Sequence, residues 1–327
     1  MLIKFFKSSF IVQYFVLVVI SVGLWMPGFL NLQEVQGEIS LTTPLYNLVH
    51  NLLVILQPYN PIIAFIIVLI SGLTLNNILV YHDLTPKNNL LPAFIFIVLF
   101  SSNPATLNMY PLILTIPFFT WFLHTIFTVN DEPENNLAVF NASMILSVIS
   151  LIYFPAVMLF FLLWLILLVF GAFSGRNIII TFIGFFMPYL YLTLYYFWID
   201  KLAEAGDAYL NFFDNLLHFQ VVHDYLQYAI WAYFVFLILF PAFFKITGTL
   251  SSYNINFRKK MGATNWFFLY SSPFIILAGK CDLNLFILIP ASIIISHYFN
   301  IFKKSAWNEI VLLVFLALIG LHNYLNL

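Results

Sequence analysis

Two carboxylates four positions apart, Glu34 and Glu38, stand in a polar stretch just after the first long apolar run of this 327-residue chain. At a membrane surface such a side chain can serve as a general base, taking the proton of a hydroxyl as that hydroxyl attacks. Solvated loop charge accounts for the same pair equally well. A second polar series, Asp200, Glu204, Asp207, Asn211, Asp214 and His218, recurs at alternating intervals of four and three. That spacing keeps all six on one face of a helix, with Leu202, Tyr209, Phe213 and Leu217 among the apolar residues covering the remainder. The pattern predicts an amphipathic helix lying on a membrane with its acidic stripe in water. A divalent cation held among Asp207, Asp214 and His218 is the alternative chemistry, although helical neighbours alone do not close a coordination shell. His50, with Asn47 and Asn51 at helical spacing in the apolar segment 45–56, marks a further candidate contact for a substrate.

The elements that must carry these residues are membrane spans. The chain is 63% hydrophobic, 20% aromatic and 8% charged, against roughly 25% charged in soluble domains. A net charge of −1 leaves no basic surface for phosphate backbones, so a nucleic-acid partner is not expected. The single cysteine, Cys281, excludes an intrachain disulfide and a cysteine-rich zinc site. No Walker sequence, dinucleotide-binding glycine fingerprint, Gly-x-Ser-x-Gly elbow or His-Glu-x-x-His pair occurs.

A spanning helix needs about 20 mostly apolar residues. Long runs at 10–27, 61–80, 110–129, 178–199, 225–244, 283–298 and 306–325 qualify, and 90–102 and 266–278 read as short, tilted or re-entrant spans. The run 137–171 is too long for one crossing, and Pro155 near its middle predicts two spans joined at Tyr153-Phe154-Pro155. The expectation is an all-α polytopic protein of about 11 transmembrane helices. Placing the N-terminus in the cytoplasm puts Lys4, Lys7, Lys87, Arg176, Lys245, Arg258, Lys259, Lys260, Lys303 and Lys304 inside, leaving Lys201 and Lys280 outside. Lys4 and Lys7 before an apolar run resemble a signal sequence, but no small-residue cleavage site precedes Trp25-Met26-Pro27, so this run is expected to stay as the first span.

With that orientation, 28–59 and 200–224 are external, and each is expected to hold an interfacial helix. The first starts at Thr43-Pro44, a capping residue followed by proline. No ionisable residue sits at mid-depth in a span, which disfavours a proton relay. His124, Lys245, His297 and Glu309 fall near cytoplasmic ends, where hydration and snorkelling explain them. The acidic turn 130–136 reads as solvated, and Arg258-Lys259-Lys260 as a contact for anionic headgroups.

The order of these parts resembles the amino-terminal module of GT-C-class membrane glycosyltransferases. In that class a first span leads to a long external loop with an acidic residue and interfacial helices, then to compact spans with short turns. The corresponding residues here are Glu34 and Glu38, Pro44-Leu45-Tyr46-Asn47-Leu48-Val49, Phe100-Ser101-Ser102-Asn103-Pro104 and Leu151-Ile152-Tyr153-Phe154-Pro155. The paired Asp-Asp or Glu-Asp signature of the first loop is missing, and 102–108 has no carboxylate. The likeness implies one membrane domain over 1–327: a GT-C-like module at 1–200, an external amphipathic helix at 201–224 and C-terminal helices at 225–327. It also implies a polyprenyl-phosphate-linked sugar as donor at the external face, with Glu34 or Glu38 as base and Lys201 assisting the phosphate leaving group. His50, Lys201, Asp207, Asp214 and His218 are the expected substrate contacts, and no cofactor is required beyond the open question of a divalent cation. The chain also resembles polytopic inner-membrane proteins of Bacteroidota, which implies a bacterial inner-membrane location and no mechanism. Two other functions fit the same composition: a non-catalytic subunit or scaffold of an envelope or secretion complex, and a transporter or flippase of lipidic cargo suggested by the proline-broken spans.

Overall fold

The computed structural model describes residues 2–30, 43–56, 59–102, 107, 109–131, 136–203, 206–207, 209, 225–277, 285–301 and 306–325. The described elements are helical. In chain order they are α1 (Leu2–Phe6), α2 (Ile11–Leu30), α3 (Pro44–Ile55), α4 (Asn60–Tyr81), α5 (Leu91–Phe100), α6 (Pro111–Asp131), α7 (Asn136–Ile152), α8 (Leu159–Phe170) and α9 (Gly175–Trp198). There follow α10 (Tyr225–Tyr233), α11 (Phe240–Thr249), α12 (Ile255–Leu277), α13 (Leu285–Ile301) and α14 (Ala306–Leu325). Among the described residues, six helices, Ile11–Leu30, Asn60–Tyr81, Pro111–Asp131, Gly175–Trp198, Ala229–Ser252 and Ala306–Leu325, are long and apolar enough to cross a bilayer. This is a polytopic membrane architecture.

The centre of the bundle is α5, all ten residues of which are buried. At 1.5 Å per residue it reaches about 15 Å, half the hydrocarbon thickness. A helix apolar on every side belongs inside protein, and α5 is enclosed by α1, α2, α4 and α13. The expected break in 137–171 is a 3-10 turn at Phe154–Met158 between α7 and α8. Two segments differ from expectation. The run 225–244 continues through a π-helical stretch at Phe234–Leu239 into α11, because Pro241 cannot donate its helical hydrogen bond and the wider turn absorbs the defect. The run 266–278 is the second half of α12, whose backbone starts with Asn254 Oδ1 accepting from Phe257 N at 2.8 Å.

The contact of α7 with α9 depends on small residues. Ser143, Ser147 and Ser150 of α7 are fully buried, and a Cβ on Gly184 of α9 would overlap Ser143 Oγ and lie 2.8 Å from the Phe140 carbonyl oxygen. Small side chains let helix backbones approach where no hydrophobic effect drives them together. Gly184→Val is therefore expected to force α9 away and to cost roughly 1–3 kcal/mol. Thermal denaturation in detergent checks this: an unchanged midpoint would show that the helices part freely.

The helix ends sort into two groups. At one end Leu90 N donates to Phe6 O at 2.9 Å, Lys259 Nζ to Phe170 O at 2.9 Å and Asn89 Nδ2 to Asn300 Oδ1 at 3.0 Å. Lys4, Lys7, Lys87, Arg176 and Arg258–Lys260 belong to these helix termini, here called the Lys-rich end. At the opposite end Trp25 Nε1 donates to Ser101 Oγ at 2.9 Å, and Asn323 Nδ2 to the carbonyls of Ser101 and Leu24 at 2.9 and 3.3 Å. Lys201 follows α9 at that opposite end. For these residues the separation is the one the distribution of basic residues predicts; Lys280, Lys303 and Lys304 lie outside the described residues.

Candidate functional site

At the opposite end α3 lies over α7 and α9 because two hydroxyls fasten its first turn. Thr43 Oγ1 accepts from Tyr46 N at 3.3 Å, capping the helix before Pro44, and donates to the carbonyls at the end of α7, Leu151 and Ile152. Tyr196 of α9 donates its hydroxyl to Pro44 O at 2.9 Å. The expected helix start at Thr43-Pro44 is thus present, and its cap also serves as its anchor.

Beside this junction is a cavity of about 230 Å³ lined by Tyr189, Leu192, Thr193, Tyr196, Leu202, Gly206 and Tyr209. Tyr189 shares a 2.9 Å hydrogen bond with Ser150 Oγ, Tyr196 is committed to Pro44, and the buried Tyr209 hydroxyl has no partner. The Tyr209 ring packs on Phe154 at 5.1 Å. Burial, with Tyr189 and Tyr196 nearby, pushes the Tyr209 phenol above its usual range. It stays protonated and able to donate. Aromatic faces with one free donor suit an uncharged polar ring such as a sugar, whose C–H faces pack on rings while its hydroxyls hydrogen-bond.

Lys201 and Asp207 adjoin the lining residues Leu202 and Gly206, and both are exposed. Residues 202–203, 206–207 and 209 are helical, as the polar spacing predicts. Asp200 belongs to a different feature: its φ of 57° ends α9, and Lys201 N returns to Tyr196 O at 3.0 Å. It is a left-handed cap, a conformation that aspartate tolerates better than most residues. His50 lies on α3 with its side chain outside the described residues. Glu34, Glu38, Asp214 and His218 also lie outside them.

The Lys-rich end holds a polar cluster that the spacing of the sequence did not suggest. His82 caps α4, His124 and Asp131 lie on the last turns of α6, and Lys260 on the second turn of α12. Lys260 Nζ reaches Asp131 Oδ1 at 2.7 Å and Oδ2 at 2.9 Å. His82 Nδ1 lies 3.0 Å from Asp131 Oδ2 and 3.3 Å from Lys260 Nζ, and its Nε2 lies 3.1 Å from His124 Nδ1. His82 and Lys260 are each only 4% exposed. Asp131, Lys259 and Lys260 are therefore not simply solvated: Asp131 pairs with Lys260, and Lys259 caps α8; Glu132 and Glu134 lie outside the described residues. Nor does hydration explain His297, which is 6% exposed. Two proton arrangements satisfy the chain. Either His82 donates from Nδ1 to Asp131 and accepts from His124, or it accepts from Lys260 at Nδ1 and donates to His124.

Burial, the neighbouring Lys260 ammonium and His124 push the His82 imidazole below its usual range, against the opposing pull of Asp131. A folded-state value below the unfolded one, about 6.5, means that the unfolded chain binds an extra proton as pH falls. This contribution is complete above pH ~6.5 and is lost as pH drops toward the folded-state value. The detergent-solubilised protein is expected to lose roughly 2–4 °C of apparent Tm between pH 7 and pH 5. His82→Gln should make that slope shallower, and an equally steep slope in the variant would remove His82 as a source of it.

Among the described residues, no three or more of His, Cys, Asp and Glu gather in a group that could hold a metal ion. Comparison with known protein families, curated proteins and solved structures returns no match.

Proposed function

We propose that this chain is a GT-C-like transferase of bacterial envelope assembly, using a polyprenyl-phosphate-linked sugar at the external face of the inner membrane. The observation that carries the reading is the tyrosine-lined cavity beside the anchored interfacial helix α3. Its surroundings favour it too: the cavity adjoins Lys201 and Asp207, and α2 ends at Leu30 on the same side as Thr43. The shorter apolar helices α7, α8 and α13, together with α12 and the buried half-depth α5, bring the membrane segments of this reading to about eleven.

In the proposed reaction, the acceptor hydroxyl attacks the anomeric carbon of the donor. A C–O bond forms there, the bond from that carbon to the polyprenyl phosphate breaks, and the hydroxyl proton passes to Glu34 or Glu38. Lys201 offsets the charge that develops on the leaving phosphate. Tyr209, a protonated donor in the cavity, orients a sugar hydroxyl.

The test is transfer of labelled sugar from a panel of polyprenyl-phosphate donors by the protein in bilayer nanodiscs. Labelled product is expected from at least one donor, and absence of transfer across the panel defeats the reading. A subunit role is favoured by one observation, the low burial of α9, only 17% of whose apolar window is inside the bundle. Reproducible co-purification of a second membrane protein on that helix would support it.

A further inference from the structure

The Lys-rich end contains a second cavity, of about 470 Å³, bounded by the loop after α4, the start of α12 and the end of α13. Three of the residues that line it each hold a buried polar atom without a hydrogen-bond partner: Thr85 Oγ1, His297 Nε2 and Asn300 Nδ2. Thr85 and His297 are 7% and 6% exposed. Native interiors rarely leave such groups unmatched, and three of them in residues around one space point to a ligand.

The hydrogen bonds around Asn300 fix what it offers. Leu91 N donates to Asn89 Oδ1 at 3.0 Å, so the other end of that amide, Nδ2, faces Asn300 and donates to Oδ1 at 3.0 Å. Asn300 Nδ2 is thereby left as an obligate donor in a residue that borders the cavity. His297 donates from Nε2 in the tautomer that carries its proton there, and Thr85 donates through its hydroxyl. Lys87 adds an ammonium at the mouth, and the first turn of α12 adds the positive end of its dipole. This is a set of donors for phosphate oxygens. Asp83, also at the mouth, contributes a carboxylate that would repel a bare anion and attract a cationic group. Tyr253 and Phe257 stack at 4.4 Å, and both contact the His297 ring, forming an apolar wall for the intervening carbons.

We propose that this cavity binds an amine-bearing phosphate ester. Its phosphate sits on Asn300, His297, Thr85 and Lys87, and its ammonium on Asp83. An aminophospholipid headgroup and the same group free in solution share this chemistry, and the position at the bundle's end admits either. The site is independent of the transferase reading, lying at the other end of the molecule.

The test uses the full chain and two probes. Glycerophosphoethanolamine is titrated calorimetrically against the detergent-solubilised protein, and native mass spectrometry follows lipid retained from nanodiscs containing phosphatidylethanolamine or phosphatidylcholine. Binding of the soluble ester identifies a free ligand; selective retention of phosphatidylethanolamine alone identifies a lipid. In either arm Asn300→Asp, which keeps the oxygen facing Asn89 and replaces the donor by an anion, should weaken binding at least tenfold. Asp83→Asn should remove the preference for ethanolamine over choline. Thr85→Val is the second variant where Asn300→Asp lowers the melting temperature, and it too should weaken binding several-fold. Failure of both probes to bind, equal affinity for ethanolamine and choline, or unchanged binding in the Asn300 and Thr85 variants would overturn the assignment.

Discussion

Replacing Glu34 and Glu38 together by glutamine is expected to lower the rate of sugar transfer by roughly 10²–10⁴-fold, the usual contribution of a general base. Glutamine keeps the size and polarity of each side chain and removes only the capacity to take a proton. The apparent KM for the lipid-linked donor should change little, because the base acts on the acceptor hydroxyl and gains its advantage in the transition state. The single variants then identify the base: one should retain most of the activity and the other should match the double variant. Tyr209→Phe should raise KM more than it lowers kcat, since the cavity hydroxyl holds the sugar and exchanges no proton with it. A double glutamine variant that transfers sugar at the parent rate would refute the assignment of both carboxylates while leaving the cavity as a binding site. Loss of transfer in Tyr209→Phe with the glutamates dispensable would move the chemistry to the cavity itself.

Those features of the fold written in short stretches of sequence were legible before the structure. Thr43-Pro44 announces a helix start in two residues, and α3 starts there. Pro155 breaks a run too long for one crossing, and the turn at Phe154–Met158 follows. The segregation of Lys and Arg sorts the helix ends because short loops at one membrane face collect the basic residues, whatever the tertiary structure. The polar cluster at the Lys-rich end was not legible, since His82 lies 42 residues before His124 and 178 before Lys260. Each looks like an ordinary terminal charge, and only the packing of α4, α6 and α12 makes them neighbours. A usable signal did exist: His82, Asp131 and Lys260 all fall at the same membrane face by the charge rule, so oppositely charged groups at adjacent span ends were available to pair. The Tyr209 cavity was hidden for a similar reason. Helical spacing placed Tyr209 on the apolar side of an amphipathic helix, but only the contacts with Phe154 and the end of α9 turn that apolar side into the wall of a cavity.

Asp131→Leu is expected to destabilise the bundle by about 3 kcal/mol, near the lower bound for breaking a buried ion pair. The lower bound applies because the Asp131 side chain is 36% exposed, whereas that of Lys260 is 5% exposed. Most of the loss arises from Lys260, whose ammonium would remain buried with only His82 O at 3.4 Å and His82 Nδ1 at 3.3 Å as acceptors. Removing that ammonium as well should restore stability. The double variant Asp131→Leu/Lys260→Met is therefore expected to melt above Asp131→Leu, although it carries two substitutions. Hydrophobic replacement of a whole buried pair is often neutral, whereas replacement of one partner strands a charge. The cycle formed by the two single variants and the double, followed by thermal denaturation in detergent, measures the coupling directly. Additive losses would mean that the two side chains stabilise the protein independently and that the close contacts with Asp131 contribute little. A double variant as stable as the parent, but without the parent's pH response between pH 7 and pH 5, would separate two roles of the cluster. Packing would then hold α4, α6 and α12 together, and the charges around His82 would set how that end of the bundle responds to protons.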